Sequence, residues 1–370
     1  MQKDRPGQRP RTDPSIGQVV LQDLREADIR GHFTRELEEL YRFYLDDERR
    51  ERLAAMGWFR RGALFYGWLF KSLLLKLSPA RRLALLAALL LVISGSARIS
   101  FPGVALSIYL WPIGVVALLV VLMLELKDKL VARDEIAIAR EVQLALLPTS
   151  HPKTDGWSIW GYTRPANDVG GDLVDYLELD DRLGVALGDV AGKGLGAALL
   201  MAKLQATLRA TAPDAACLAT LGDRLNTILL RDGIDNRYAT LFYLELAPGS
   251  GRVRYLNAGH NPPCLLRVAG LEMLPAICPP IGMLSTARFA ESTLEVAAGE
   301  MLIAYSDGLT EARNGAEEEF GTARLTAIAA GLRGLDAQEA GARILAEVDA
   351  FQGGARTHDD LSLVILARTS

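Results

Sequence analysis

The sequence changes its pattern at Pro148, and this change limits the possible folds more than any other feature. Residues 127–147 contain neither glycine nor proline and are rich in strong helix formers. Beyond Pro148, short apolar or alternating stretches bounded by glycine, proline and polar residues predict strands. The strands come mostly in runs, with helical stretches grouped in pairs between them. This order predicts an α+β domain over residues 151–370 rather than repeated βαβ units.

The predicted elements of this domain can be placed from apolar spacing and from the Ser, Thr, Asp and Gly residues near helix ends. The predicted strands are Trp157–Thr163, Leu173–Leu179, Leu183–Gly188, Thr240–Leu246, Arg252–Asn257, Pro263–Val268, Met301–Tyr305 and Leu361–Ala367. The predicted helices are Leu195–Ala210, Ala215–Leu230, Ala323–Leu332 and Ala337–Phe351.

Two apolar runs stand out in the N-terminal third. Val104–Leu126 carries no charge before Glu125 and is about as long as a bilayer crossing requires. Together with Leu83–Ser94 it predicts two transmembrane helices within residues 81–126. Basic residues flank the pair on its outer sides, so the positive-inside rule places both ends, and the domain that follows, in the cytoplasm at the inner membrane. The alternative is a buried helical hairpin in a soluble domain.

The segments on either side of these runs have different predicted roles. Residues 1–80 are predicted to be a cytoplasmic tail, disordered over Met1–Pro14, followed by helical segments. Within it, aromatic and basic residues in Trp58–Leu77 predict an amphipathic helix that contacts the lipid bilayer. Residues 127–150 are predicted to be a helical linker.

The linker also carries an apolar stripe. Leu124, Val131 and Ile138 recur every seven residues, as in a helix that pairs with a second copy of itself. The stripe therefore predicts a homodimer through residues 127–147, or else packing against the domain that follows.

Charge and cysteine content exclude two classes of protein. The formal net charge of -4 is not that of a typical nucleic-acid-binding protein, which is basic. The three cysteines are far apart and form no CxxC pair, so neither a zinc site nor a disulfide framework is expected.

Aspartates, several of them beside glycine, recur where predicted strands end or turn. Carboxylates are hard oxygen ligands suited to Mg²⁺ or Mn²⁺. Two such ions close together can activate a water molecule and hold a phosphate oxygen. One turn of this kind is more often structural, but several next to apolar strands point to a metal-dependent hydrolase. The four turns are Gly170-Gly171-Asp172, Gly188-Asp189-Val190, Ser306-Asp307-Gly308 and His358-Asp359-Asp360.

Eight sequence blocks in order make the region from Glu141 to Arg368 resemble a known family, the SpoIIE-like, RsbU-type branch of the PPM metal-dependent serine/threonine phosphatases. The blocks are EVQLALLP (141–148), NDVGGDLVDY (167–176), LGDVAGKGLGAAL (187–199), YATLFY (238–243), NAGHNPP (257–263), PPIGM (279–283), AYSDGLTEARN (304–314) and THDDLSLVIL (357–366).

The resemblance implies a sandwich of two antiparallel sheets flanked by helices, and two Mn²⁺ or Mg²⁺ ions that activate water. It implies that the substrate is a phosphoserine or phosphothreonine on a regulatory protein, often of the anti-anti-sigma type. Asp189 would be the bridging ligand, and either Asp359 or Asp360 could face the metal. The implied ligands are Asp172, Asp189, the carbonyl of Val190, Asp307, Asp359 and Asp360.

Several readings stay open at this point. Lys193 is either a phosphate contact or an exposed lysine, and His260 is either a proton donor or a structural histidine. The GGD at Gly170–Asp172 is also found in diguanylate cyclases, but that reading leaves the other seven blocks unexplained. A catalytically silent domain that binds a phosphorylated regulator is the main alternative to an enzyme.

Overall fold

The computed structural model describes residues 57–101, 104–232, 237–355 and 357–369. They form two compact units that divide between Asp128 and Lys129. The predicted disordered tail, Met1–Pro14, lies outside the described residues. The four predicted segments, with limits at residues 80, 126 and 150, remain predictions.

The first unit is made of helices and one hairpin. Its elements are α1 (Trp58–Lys76), α2 (Pro79–Ser94), β1 (Ser96–Phe101), β2 (Val104–Tyr109) and α3 (Trp111–Leu146), which continues into the second unit. Helix α1 confirms the helix expected at Trp58–Leu77. Helix α2 ends at Gly95, whose φ of 63° favours glycine. Pro112 lies in the first turn of α3, where a missing N–H donor costs nothing.

The structure does not support the prediction of two transmembrane helices. Val104–Tyr109 is not helical but pairs with β1 in an antiparallel hairpin, with Phe101 opposite Val104. This leaves α2 with 16 residues, and the uncharged part of α3 begins only at Trp111 and ends before Glu125. Within the described parts of the chain, no helix combines the length and the apolar character that a bilayer crossing requires.

Helices α2 and α3 pack closely against each other in the first unit. A Cβ atom on Gly114 would stand 2.7 Å from the carbonyl oxygen of Ala88, so only glycine allows this approach. Arg81 adds ion pairs across the two helices, at 2.8 Å to Glu125 and 2.6 Å to Asp128. The two helices thus pack as a pair, but many apolar side chains of α3 are exposed, and the buried helical hairpin considered as the alternative stays a prediction.

The second unit is a sandwich of two five-stranded antiparallel sheets, as the resemblance implied. The first sheet has the order β10-β7-β6-β5-β4 and the second β3-β12-β11-β8-β9. The strands are β3 (Trp157–Arg164), β4 (Leu173–Glu178), β5 (Leu183–Val190), β6 (Ala239–Leu246), β7 (Arg252–Ala258), β8 (Cys264–Arg267), β9 (Gly270–Met273), β10 (Ser292–Glu295), β11 (Met301–Tyr305) and β12 (Leu361–Arg368). The helices are α4 (Leu195–Thr211), α5 (Leu218–Asp232), α6 (Asp307–Thr310), α7 (Gly321–Ala329), followed by the 3-10 turn Ala330–Leu332, and α8 (Ala337–Gln352).

Three apolar layers hold the sandwich together. The middle layer lies between the sheets and includes Leu187, Phe242 and Val364. Helices α4 and α5 cover the outer face of the first sheet, and α7 and α8 cover that of the second. Because successive side chains of a strand point to opposite faces, these doubly covered strands are apolar on both sides. All eight residues of β12 are buried.

Candidate metal centre

The predicted ligands meet at one end of the sandwich because of the strand register. Leu173 pairs with Gly188, which sets Asp172 just before β4 opposite Asp189 near the end of β5. In the other sheet, Tyr305 pairs with Leu363, so the residues that follow β11 adjoin those that precede β12. Asp307, Asp359 and Asp360 come from these two segments. The fold therefore gathers all five predicted aspartates from four strand ends.

Glycines allow the strand ends to approach one another closely here, both within a sheet and, at Gly170, between the sheets. A Cβ atom on Gly308 would stand 2.1 Å from the backbone oxygen of Asp360, and one on Gly170 would stand 2.6 Å from an oxygen of the Asp360 side chain. A Cβ atom on Gly171 would stand 3.1 Å from the carbonyl oxygen of Val190. The carbonyl named as a ligand thus faces the turn that carries Asp172.

Asp359 and Asp360 have different surroundings, although they are neighbours in sequence. The buried Asp360 accepts hydrogen bonds from the backbone N–H of Ala166 at 2.7 Å and from that of Gly171 at 2.5 Å, one on each carboxylate oxygen. Asp359 is more exposed, and its Oδ2 lies 2.9 Å from Lys193 Nζ. Asp360 therefore ties the two sheets together, while Asp359 faces the open side of the site.

Three of the carboxylates are hard to ionise together. Burial and the charge of Asp189 raise the pKa of Asp172 well above its usual range. Burial, followed by the charges of Asp307, Asp359 and Asp360, raises the pKa of Asp189 to about 7. Burial and Asp359 also raise the pKa of Asp307. Ionised carboxylates this close together repel one another, and a bound cation would stabilise their charged forms.

The aspartate oxygens are suitable ligands for a divalent cation, although the side chains do not all point to one position. In the described residues, no three His, Cys, Asp or Glu side chains surround one point closely enough to hold an ion. The partners given above explain this, because Asp359 turns to Lys193 and Asp360 to the backbone. Asp172 Oδ2, however, is buried without a hydrogen-bond partner. An unpaired buried carboxylate oxygen beside other carboxylates, all hard oxygen donors, suits Mg²⁺ or Mn²⁺.

His260 is buried beside this centre and is neutral at ordinary pH. Burial lowers its pKa to about 4. Its Nδ1 lies 2.8 Å from Thr240 Oγ1, and its backbone N–H donates to Asn257 Oδ1 at 2.9 Å. These contacts favour the structural histidine over the proton donor.

Sequence reasoning missed Gln143 near the end of α3. Its side-chain amide forms two hydrogen bonds with the backbone of Gly170, donating to the carbonyl at 2.7 Å and accepting from the N–H at 3.0 Å. Gly170 begins the turn that carries Asp172, so the linker helix directly holds the turn of a predicted ligand. The only signal in the sequence was the position of Gln143 in the EVQLALLP block.

Comparison with known proteins identifies the fold and the family. The family model described as Stage II sporulation protein E matches residues 179–369, more than half of the chain. Protein IcfG of Synechocystis is 34% identical, covering 54% of this chain and 36% of IcfG. Phosphoserine phosphatase RsbP of Bacillus subtilis is 30% identical, covering 50% of this chain and 47% of RsbP. The chain thus spans only a third to a half of the length of these relatives.

Solved structures agree on the fold. The RsbU and RsbW domains of a Mycobacterium tuberculosis protein are 26% identical, with a TM-score of 0.51 over 60% of this chain and 63% of that one. The SiaA-PP2C domain of Pseudomonas aeruginosa, 17% identical, has a TM-score of 0.57 over 66% of this chain and 99% of that one. The second unit therefore has the fold of the SiaA-PP2C domain, and the chain belongs to the SpoIIE family.

Proposed function

We propose that this protein is a metal-dependent serine/threonine phosphatase that hydrolyses a phosphoserine or phosphothreonine on a regulatory protein. The observation that carries the proposal is the gathering of aspartates from four strand ends at one end of the sandwich, where burial and neighbouring carboxylates raise the pKa of Asp172, Asp189 and Asp307. Two curated relatives, RsbP and RsbU of Bacillus subtilis, are named phosphoserine phosphatases.

Two divalent ions, Mn²⁺ or Mg²⁺, would be held by these residues. Asp189 lies among the others and is the proposed bridging ligand, with the carbonyl of Val190 beside it. Asp359 is the proposed direct ligand of the last pair, because both carboxylate oxygens of Asp360 already accept backbone hydrogen bonds. Asp360 would then act as a positioning residue. The proposed ligands are Asp172, Asp189, Val190, Asp307 and Asp359.

The ions would supply the Lewis acidity that activates water and neutralises phosphate oxygens. The protein's own residues supply the geometry. The backbone turns at Gly170 and Gly308 fix the carboxylates, and burial of Asp172 and Asp189 removes competing water from them. A low-dielectric, prearranged set of charges stabilises a developing transition state more than flexible groups in water do.

A phosphorylated regulatory protein suits a site of this shape. Asp359 and Lys193 keep 37% and 58% of their side-chain surface exposed, so the centre opens to solvent at this edge. A phosphorylated side chain on the surface of a folded protein can reach such an edge. The proposed partner is of the anti-anti-sigma type, as in the family that the sequence resembles.

The linker helix is the proposed route of control and of dimer formation. Gln143 joins the end of α3 to the turn at Gly170, so displacing the helix would disturb that turn. Higher up the helix, 46% of Val131 and 61% of Ile138 are exposed. Apolar surface left exposed in a regular stripe on one helix supports a second copy of the chain as the proposed partner of the stripe.

The test is Mn²⁺-dependent phosphate release from a phosphoserine peptide by the full chain, compared with the Asp307→Asn variant. Activity should require the metal and should fall at least about a hundredfold in the variant, since removing a ligand charge disrupts the ions that stabilise the transition state. An Asp223→Asn variant, on the outer side of α5, is the matched control and should keep full activity.

Two results would count against the proposal. Hydrolysis that survives Asp307→Asn would refute the metal assignment. A folded wild-type protein that binds Mn²⁺ and the phosphopeptide but never releases phosphate would instead support the silent, regulator-binding alternative.

A further inference from the structure

Lys193 lies in the glycine-rich loop between β5 and α4 and reaches across to the loop before β12. Its Nζ is 2.9 Å from Asp359 Oδ2 and donates to the backbone oxygen of His358 at 2.8 Å. Lys193 therefore contacts one proposed metal ligand and the backbone beside it.

Asp359 cannot contact Lys193 and bind a metal ion equally well at the same time. Its Oδ1 already accepts a hydrogen bond from the backbone N–H of Asp360 at 3.0 Å, so Oδ2 is the oxygen left for a cation. That oxygen is the one that contacts Lys193. An ammonium group and a divalent ion on the same oxygen would repel each other, and the divalent ion has the higher charge.

The loop that carries Lys193 allows the side chain to move. Gly192 and Gly194 flank it with φ angles of 112° and 73°, and a Cβ atom on Gly194 would meet no atom within 4 Å. Nothing packs against the loop at that point. Lysine also has a flexible four-carbon stem, and 58% of the Lys193 side chain is exposed.

We propose that Lys193 is a substrate-binding residue of this site, whose ammonium group leaves Asp359 when a divalent ion binds and then contacts the phosphate of the substrate. The inference rests on the proposed function. A phosphate group held at the metal centre would be the nearest strong anion to the displaced ammonium. A charge-assisted hydrogen bond between them adds to the neutralisation that the ions provide.

The proposal has two parts, the displacement of Lys193 from Asp359 by the metal ion and its contact with the phosphate. One substitution should change the affinities for metal and for phosphate in opposite directions. Lys193→Met keeps the length of the side chain but removes its charge. Without the competing ammonium, Mn²⁺ should bind about two- to fivefold more tightly, the size expected for losing one exposed ion pair. Without the phosphate contact, inorganic phosphate should bind the Mn²⁺-loaded protein about tenfold more weakly.

The experiment measures both affinities by titration calorimetry on the full chain, with Mn²⁺ alone and then with inorganic phosphate on the loaded protein. Lys193→Arg keeps the charge and should restore most of the phosphate affinity. Lys153→Met is the matched control, since Lys153 is an exposed lysine in the loop before β3, and should bind both probes as the wild type does.

The outcomes are decisive for each half. Tighter Mn²⁺ and weaker phosphate in Lys193→Met support the proposal. Unchanged or weaker Mn²⁺ binding would overturn the displacement, and unchanged phosphate affinity would overturn the phosphate contact. Both affinities are binding measurements, so they can be read even if the wild type hydrolyses nothing, a result that would count against the proposed function instead.

Discussion

At the scale of single residues, the aspartates of this site differ in the groups that donate hydrogen bonds to them. The pattern of aspartates at strand ends predicted Asp172, Asp189 and Asp307 as ligands, and this assignment stays a prediction. The pattern could not separate Asp359 from Asp360, because their different surroundings depend on the N–H groups of Ala166 and Gly171, which lie far away in sequence. Gln143 was missed for the same reason.

His260 gives a prediction about stability and pH. An unfolded histidine gains a proton near pH 6.5, whereas His260 in the folded protein does so only near pH 4. Between these values the unfolded state binds more protons, so stability falls as the pH falls. Between pH 7.5 and pH 5 this one group should remove about 2 kcal/mol from the free energy of unfolding.

The measurement is urea denaturation of the wild type and of His260→Gln at both pH values, with a chelator present. Asp189 acts in the opposite direction, because its raised pKa favours the folded state as the pH falls, but this contribution is common to both proteins and cancels. The variant should lose about 2 kcal/mol less than the wild type on acidification. Equal losses would show that His260 is not buried as a neutral group.

At the scale of elements, the sequence predicted the domain well and the segment before it poorly. All eight predicted strands and four predicted helices of the second unit are present, with ends displaced by three residues at most. Strands β9 and β10 were missed because four residues of mixed polarity show no period. The run Val104–Leu126 was misread because hydropathy along the chain does not reveal that Val104–Tyr109 pairs with another strand.

The exposed stripe on α3 gives the prediction at this scale. Replacing Ile138 by Glu would place a charge in the proposed dimer contact and remove a large apolar side chain. Both copies carry the change, so the dimer should dissociate at least about a hundredfold more readily, as expected from the loss of two buried isoleucines. Ala132→Glu adds the same charge to the same helix outside the stripe and should leave the dimer intact.

Sedimentation equilibrium of the full chain would measure both variants. A wild type that remains monomeric at all concentrations, or an Ile138→Glu variant that associates as tightly as the wild type, would contradict dimerisation through this helix.

At the scale of the whole molecule, the predicted metal centre is a product of topology. Its predicted ligands lie in loops between residues 172 and 360, two loops from each sheet, and only the closing of the two sheets against each other brings these loops together. The strands are apolar on both faces and covered by helices on the outside, and their packing holds the two sheets together. The sequence showed which residues have metal-binding chemistry, and the ordered family blocks placed them in one fold. Distances, partners and the contact between Lys193 and Asp359 arise only after folding.

The most direct test of this account is a crystal structure of the full chain grown with Mn²⁺, with the ions located by anomalous scattering. We expect two Mn²⁺ ions within ligand distance of Asp172, Asp189, Asp307 and Asp359, with Asp189 contacting both and Asp360 still bound to the backbone of Ala166 and Gly171. Manganese absent from this end of the sandwich, or bound there without Asp189, would contradict the assignment of a two-metal phosphatase centre.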